Sequence, residues 1–161
     1  MQIATLKRSP EFQRLRGGLR WSGPGFLIEG KVRGPGARVP PGGPTQPRFG
    51  FTVTKKLGGA VARNRIRRRL KEALRTMPPE FTLPGFDYVI IARPPAFDRD
   101  FAALTGDFRH ALQHLQRASE RAAASSPNAA SSPTARDHAS QGPAARGEVT
   151  KSAPKRQRSS D

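Results

Sequence analysis

Apolar residues recur along this chain at two different spacings, and the spacing sorts it into elements. In RFGFTVT, Arg48 to Thr54, Phe49, Phe51 and Val53 fall on one side while Gly50, Thr52 and Thr54 fall on the other. That period of two predicts a half-buried strand. DYVIIA, Asp87 to Ala92, is apolar on both sides and predicts a central strand. GFLIEGKV, Gly25 to Val32, predicts another, preceded by a short one at Arg20 to Ser22. The period lengthens elsewhere. From Ala60 to Met77 the residues Ala62, Ile66, Leu70, Ala73, Leu74 and Met77 gather into one stripe of a helix. Asp98 to Arg117 does the same through Phe101, Leu104, Phe108, Ala111, Leu112 and Leu115, with Asp98 placed to cap it. A shorter helix is announced by SPEFQRLR: Ser9 as N-cap, Pro10 in the first turn, Glu11 at the positive end, and Gly17 with Gly18 as the stop. The order helix, strands, helix, strand, helix predicts a small α+β or α/β sandwich around one sheet.

Two stretches break the pattern. RGPGARVPPGGPTQP, residues 33–47, is dense in proline and glycine and predicts a long flexible loop inside the domain. From Ser119 onward there is no aromatic residue, leucine or isoleucine. Such a segment cannot bury enough apolar surface to offset the entropy of ordering it. The expected organisation is a domain over 1–118 and a disordered Ala/Ser/Pro-rich tail over 119–161.

Charge changes this picture from a generic small domain to a polyanion-binding one. The formal net charge is +17 over 161 residues, and the tail holds only seven Lys/Arg against four Asp/Glu, so most of the excess lies in the domain. Nucleic acid is the first partner such a balance implies. No apolar run approaches the roughly 18 residues of a spanning helix, and the N-terminus has no apolar signal core. A membrane partner is therefore not expected. The chain has no cysteine, which fits a reducing cytoplasm and excludes disulfides and thiolate metal sites.

The charge is concentrated in one helix. Opposite the stripe of Ile66 and Leu70 lie Asn64, Arg68, Lys71 and Arg75, with Arg65 and Arg67 flanking them and Arg63 and Arg69 nearer the core boundary. Guanidinium groups are always charged, and their planar fork of donors matches phosphate oxygens. Like charges this dense destabilise a helix that has no partner. Asn64 adds no charge and is a poor helix former, which points to a specific polar contact. Lys55 and Lys56 precede the helix, and Gly58 with Gly59 form the turn into it. Phosphate-reading side chains dominate and base-reading ones are few, which argues against sequence-specific DNA recognition.

FTVTKKLGGAVARNRIRRRLKEALR followed by DYVIIARP resembles the bacterial ribonuclease P protein subunit. The resemblance rests on Arg63-Asn64-Arg65 in a basic helix, on Lys55-Lys56 and Gly58 before it, on Arg67, Arg68, Leu70 and Glu72 after it, and on Phe12 in the first helix. It spans about Leu6 to Leu115. It implies an αβββαβα fold with a left-handed crossover around the basic helix, an exception to the usual hand. It also implies the protein subunit of a ribonucleoprotein that removes the 5′ leader of precursor tRNA. Chemistry would reside in a catalytic RNA, with magnesium ions held mainly by that RNA and one protein per RNA. Lys55, Lys56, Arg63, Asn64, Arg65, Arg67, Arg68, Lys71 and Arg75 would then bind RNA. A cleft between the first helix and the sheet would receive the single-stranded leader, with Phe12, Arg14, Arg16, Phe26 and Phe51 as candidates for its wall. The sequence departs from the family pattern where Arg16 stands four positions after Phe12 in place of an apolar residue, and where Gly59 follows Gly58 in place of asparagine.

Protein-borne catalysis is not expected. His110 and His114 are one turn apart, but no glutamate completes a metal-binding helix motif, and no nucleophile-base pairing stands out. The competing reading of the same features is a stand-alone RNA-binding protein, such as a ribosomal protein or an RNA chaperone, with no role in cleavage.

Overall fold

The computed structural model describes residues 3–125. One mixed sheet holds five strands: β1 (Ala4–Thr5), β2 (Leu19–Ser22), β3 (Phe26–Val32), β4 (Arg48–Thr52) and β5 (Phe86–Ala92), in the order β1-β4-β5-β3-β2. The helices are α1 (Ser9–Gln13), α2 (Ala60–Arg75) and α3 (Phe101–Ala124). β3 runs antiparallel to both β2 and β5, while β4 runs parallel to both β1 and β5. The basic helix α2 is thus the crossover between two adjacent parallel strands. This is the predicted α+β order with one element added, β1. Two residues carry no readable period, and β1 exists because the edge of β4 offers hydrogen bonds, extended by Leu6 N–H donating to the Phe49 carbonyl at 3.0 Å.

Register sorts the strand side chains onto two unlike faces. Phe26, Ile28, Phe49, Tyr88, Ile90 and Ala92 belong to the main core, closed by Ile66, Leu70, Ala73 and Leu74 of α2 and by Leu104, Phe108, Ala111, Leu112 and Leu115 of α3. Ring pairs fill it: Phe26 stacks on Phe108 at 4.2 Å between centroids and Phe49 on Tyr88 at 4.9 Å. Burial raises the Tyr88 hydroxyl pKa, although the hydroxyl oxygen accepts from Leu83 N–H at 2.8 Å. The opposite face carries a smaller cluster, Leu6, Leu15 and Val89, with Phe12 and Ile91 partly buried beside it. Among the described residues, α1, the turn after it and part of the 33–47 loop lie on that side.

Several local expectations need correction. Arg8, not Ser9, caps α1, because the Glu11 carboxylate reaches back to accept from the backbone N–H groups of Lys7 and Arg8 at 3.0 and 2.9 Å. Asp100, not Asp98, caps α3, accepting from Ala102 N–H at 2.9 Å and Ala103 N–H at 3.2 Å, since a 3₁₀ turn at Pro94–Ala96 delays the helix. β4 ends at Thr52, and Lys55–Leu57 form a 3₁₀ turn. Gly58 follows at φ 118°, a conformation glycine alone adopts readily. The expected domain limit at residue 118 falls inside α3, whose SERAAA end is built of good helix formers and stays helical to Ala124. The rest of the expected tail lies outside the described residues.

The Pro/Gly loop is tied down at its base instead of hanging free. Arg33 sends Nε to Asp87 Oδ1 at 3.1 Å, Nη1 to the Pro44 carbonyl at 2.9 Å and Nη2 to the Gln46 carbonyl at 2.6 Å. Arg33 N–H donates to Gly85, and Gly85 N–H to Thr45 at 2.7 Å. Composition signalled a break in the strands correctly; one arginine inside it and one aspartate on β5 decide that it is anchored.

Candidate nucleic-acid interface

Helix α2 presents its charge as the wheel predicts. Ile66, Leu70, Ala73 and Leu74 are buried, while Asn64, Arg65, Arg68 and Arg75 are exposed and Arg63, Arg67 and Lys71 are half-buried. Among the described residues, none of Arg63, Arg65, Arg67, Arg68 and Lys71 forms an ion pair. The one carboxylate on the helix, Glu72, accepts from Arg75 at 2.6 Å. Lys55 and Lys56 sit exposed on the 3₁₀ turn that leads into the helix.

Apart from the Glu72–Arg75 pair, the contacts recognised on this face orient a cation without neutralising it. Asn64 Oδ1 accepts from Arg67 Nη1 at 2.9 Å, so the side chain that interrupts the arginine run holds one of its neighbours in place. The Arg65 guanidinium lies 5.1 Å from the Phe97 ring centroid and Lys71 Nζ lies 5.8 Å from that of Phe51, both within cation–π reach. Arg69 has a different role. It is turned inward to the Arg99 carbonyl, its Nε is buried without a partner, and Arg99 in turn forks onto Asp107 at 2.6 and 2.9 Å. Arg69 thereby links α2 to the start of α3.

On the opposite face the charges are paired and buried. Arg48, 4% exposed, binds Asp87 through Nε to Oδ1 at 2.8 Å and Nη2 to Oδ2 at 2.5 Å, and Glu11 Oε1 through Nη1 at 2.6 Å. With Arg33 on Asp87 Oδ1, four charged groups join α1, β4, β5 and the loop. Burial opposes ionisation of Glu11, but the N–H donors of Arg8 and Lys7 and the Arg48 guanidinium outweigh it, so its carboxyl titrates below the usual range. The hydrogen bonds to Asp87 raise the Arg48 pKa further, against burial. This network was missed from the sequence. Its signal was present: a lone aspartate opening the apolar strand DYVIIA must either be exposed or find a cation.

The structure redraws the expected leader cleft. Phe26 is 0% exposed between Trp21 and Phe108 in the main core, so it cannot stack on a nucleobase. Phe51 pairs across from Ile90 and lies under Lys71, on the α2 side of the sheet and away from Phe12. Both follow from register, since odd-numbered β4 residues and even-numbered β3 residues share the α2 face. Phe12 does lie on the α1 face, half-exposed, over Gly50; a Cβ there would meet its Cε1 at 2.4 Å. Gly50 is therefore the gap in which the ring sits. Arg14 and Arg16 line a separate concavity of about 370 Å³ with Lys31, and the Arg14 guanidinium lies against Gly34. Lys31 was not singled out from the sequence, where it reads as an ordinary polar strand residue.

The described residues contain no group of three or more His, Cys, Asp or Glu able to hold a metal ion. His110 and His114 are exposed on α3. No helix among the described residues is long and apolar enough to cross a membrane.

A relative from Brucella suis, a ribonuclease P protein component, is 46% identical over 104 residues, 65% of this chain and 74% of the relative. One of the same name from Paramagnetospirillum magneticum is 35% identical over 134 residues, 81% of this chain and 96% of the relative. The ribonuclease P protein of Staphylococcus aureus superimposes with a TM-score of 0.54 at 26% identity, over 70% of this chain and 94% of that one. The protein from Thermotoga maritima shares the fold, with a TM-score of 0.55 at 22% identity, over 68% of this chain and 94% of that one. The ribonuclease P family model matches residues 2–116, a span that takes in α1, the whole sheet and the arginine face of α2, and the chain belongs to the ribonuclease P protein family.

Proposed function

We propose that this subunit applies the outer face of α2 to the catalytic RNA of a ribonuclease P complex. Its α1 face then holds the single-stranded 5′ leader of precursor tRNA, so that the RNA can cut the leader away. One observation carries the reading: the row Arg63, Arg65, Arg67, Arg68 and Lys71 has no ion-pair partner among the described residues, whereas Arg33, Arg48 and Arg99 each bind a carboxylate. A charged row held on a rigid helix loses little entropy on meeting phosphates, and each contact releases counterions. Arg67, oriented by Asn64, and Arg65, seated on Phe97, are fixed before RNA arrives. Lys55 and Lys56 extend the row along the turn before the helix.

The α1 face supplies what a single strand needs, an aromatic edge beside cations: Phe12 over Gly50, with Arg14, Arg16 and Lys31 on the neighbouring concavity. In this reading the RNA would hold magnesium ions, whose chemistry when bound would be to activate water and stabilise a leaving oxygen. The protein's own residues bind, orient and neutralise phosphates. The assembly is one protein per RNA and works in the cytoplasm. The test is reconstitution: add the full chain to the cognate catalytic RNA at low magnesium and follow cleavage of a precursor tRNA. Stimulation is expected; a protein that binds the RNA yet leaves cleavage unchanged overturns the reading in favour of stand-alone RNA binding.

A further inference from the structure

Beside α1, on the side of the Pro/Gly loop, lies a second concavity of about 300 Å³. It is lined by Ala4, Lys7, Arg8, Glu11 and Arg48 and, from the loop, by Arg38, Val39, Pro40 and Pro41. Its charge is one-sided. Lys7, Arg8 and Arg38 are exposed cations, and its one carboxylate, Glu11, already accepts from Arg48 and two backbone N–H groups. Its apolar wall is solvent-facing: Val39 is 53% exposed, although Pro40 beside it is buried. The wall is also held in place. Arg33 pins the loop base through three bonds, and Gly43 N–H closes a turn on the Pro40 carbonyl at 3.0 Å.

We propose that this concavity is a nucleotide subsite for the precursor tRNA leader, beside the part that lies on Phe12. Cations placed beside a proline and valine wall match one nucleotide of a single strand. The phosphate would lie against Arg38, Lys7 and Arg8, and the base or ribose against Val39 and Pro41. The leader is the source because of where the site lies. Glu11 lines both this concavity and the one formed with Arg14, Arg16 and Lys31, so the two lie side by side along α1 on the Phe12 side of the sheet. Helix α2, the face assigned to the catalytic RNA, is across the sheet. The anchored loop thereby gains a role, to lengthen the track by which the leader is gripped. This subsite rests on the leader reading given above.

The experiment uses the full chain reconstituted with its catalytic RNA. Precursor tRNAs carry leaders of about 2 or about 16 nucleotides, the longer matching the span of a single-strand site. In the Lys7→Ala/Arg38→Ala variant, the ratio of affinities for the long-leader and short-leader substrates is expected to fall about fivefold, the effect of losing one or two exposed charged contacts. The salt slope for the long-leader substrate should fall by about 1 to 2. Both side chains are exposed, and circular dichroism checks the fold. An unchanged affinity ratio overturns the subsite. So does a loss of affinity for the catalytic RNA alone, measured without substrate, which would assign these cations to the other partner. Arg68→Ala in the same assay separates the two levels: if it weakens RNA binding while the double variant leaves the ratio unchanged, the subsite fails and the proposed function stands.

Discussion

Replacing Arg48 with methionine removes the centre of the buried charge network while keeping much of its volume. Three bonds are lost: two to Asp87 at 2.8 and 2.5 Å and one to Glu11 at 2.6 Å. Among the described residues, Asp87 Oδ2 is then left with no other donor, and Oδ1 keeps Arg33 at 3.1 Å. Breaking a buried ion pair by removing one partner costs about 3–5 kcal/mol, because the remaining charge stays desolvated. Arg33 still covers half of Asp87, so the low end applies, about 3 kcal/mol. That is a large share of the roughly 5–15 kcal/mol of a folded domain. At roughly 4 °C per kcal/mol for a domain of this size, the melting midpoint falls by about 12 °C. Removing both partners, as Arg48→Met/Asp87→Leu, leaves no orphan at the fork and should cost less than the single change. Urea titration and thermal melts of the four proteins of this cycle measure the coupling. A single-mutant loss below about 1 kcal/mol, or a double mutant as unstable as the sum of both singles, refutes the claim that these charges are desolvated and mutually dependent.

Three further outcomes follow from the same geometry. Gly50→Ala places a Cβ 2.4 Å from Phe12 Cε1, so the ring must leave its seat; the expected result is about 1–3 kcal/mol of destabilisation with weaker leader binding but intact affinity for the catalytic RNA, checked by melts and binding titrations. Asn64→Ala removes the acceptor that holds Arg67; stability on urea titration should move by less than about 0.5 kcal/mol, while RNA affinity drops, and an unchanged affinity would show that Arg67 needs no orienting. Glu11 titrates below its ordinary value of 4.5 in the folded protein, so its contribution is fully present above that pH and is lost as pH falls through the lower folded value. Wild type and Glu11→Gln should therefore differ by a constant amount from pH 7 to about 5 and converge below it, as urea titrations across that range would read.

The fold was legible wherever one period ran long enough. The α2 stripe, the α3 stripe, the alternation in β4 and the two-sided apolar run of β5 each fixed an element. Ends were less legible, because they depend on single bonds. Glu11 moves the start of α1 by one residue, and a 3₁₀ turn hands the α3 cap from Asp98 to Asp100. The outward cations of α2 could be placed from the wheel alone. The proposed leader face could not, because which aromatics share a wall depends on strand register. Phe12, Phe26 and Phe51 look alike in sequence, yet pairing puts Phe26 and Phe51 with α2 and α3 and leaves only Phe12 on the other side.

The distribution of carboxylates separates arginines that build the protein from those that await a partner. Acidic residues are scarce in this chain, 12 against 29 Lys and Arg. Asp87 and Glu11 hold Arg48, Asp87 also holds Arg33, and Asp107 holds Arg99. In each pair the carboxylate side chain is at most 14% exposed, where an uncompensated charge would be costly. Helix α2 carries a single acid, and that acid is turned to Arg75. Arg69 tests the rule from the other side. It lies at the core boundary of the most cationic helix, so burial demands a partner, and it finds a backbone carbonyl in place of a carboxylate. Its charge therefore stays unneutralised even where its side chain is structural. The positive potential of the α2 face thus includes a residue that need never touch RNA, and Arg69→Gln should reduce the salt dependence of RNA binding far less than Arg68→Ala while destabilising the junction of α2 and α3 more. Paired salt titrations and melts of the two variants decide it; equal salt slopes would mean that position on the helix does not sort these arginines.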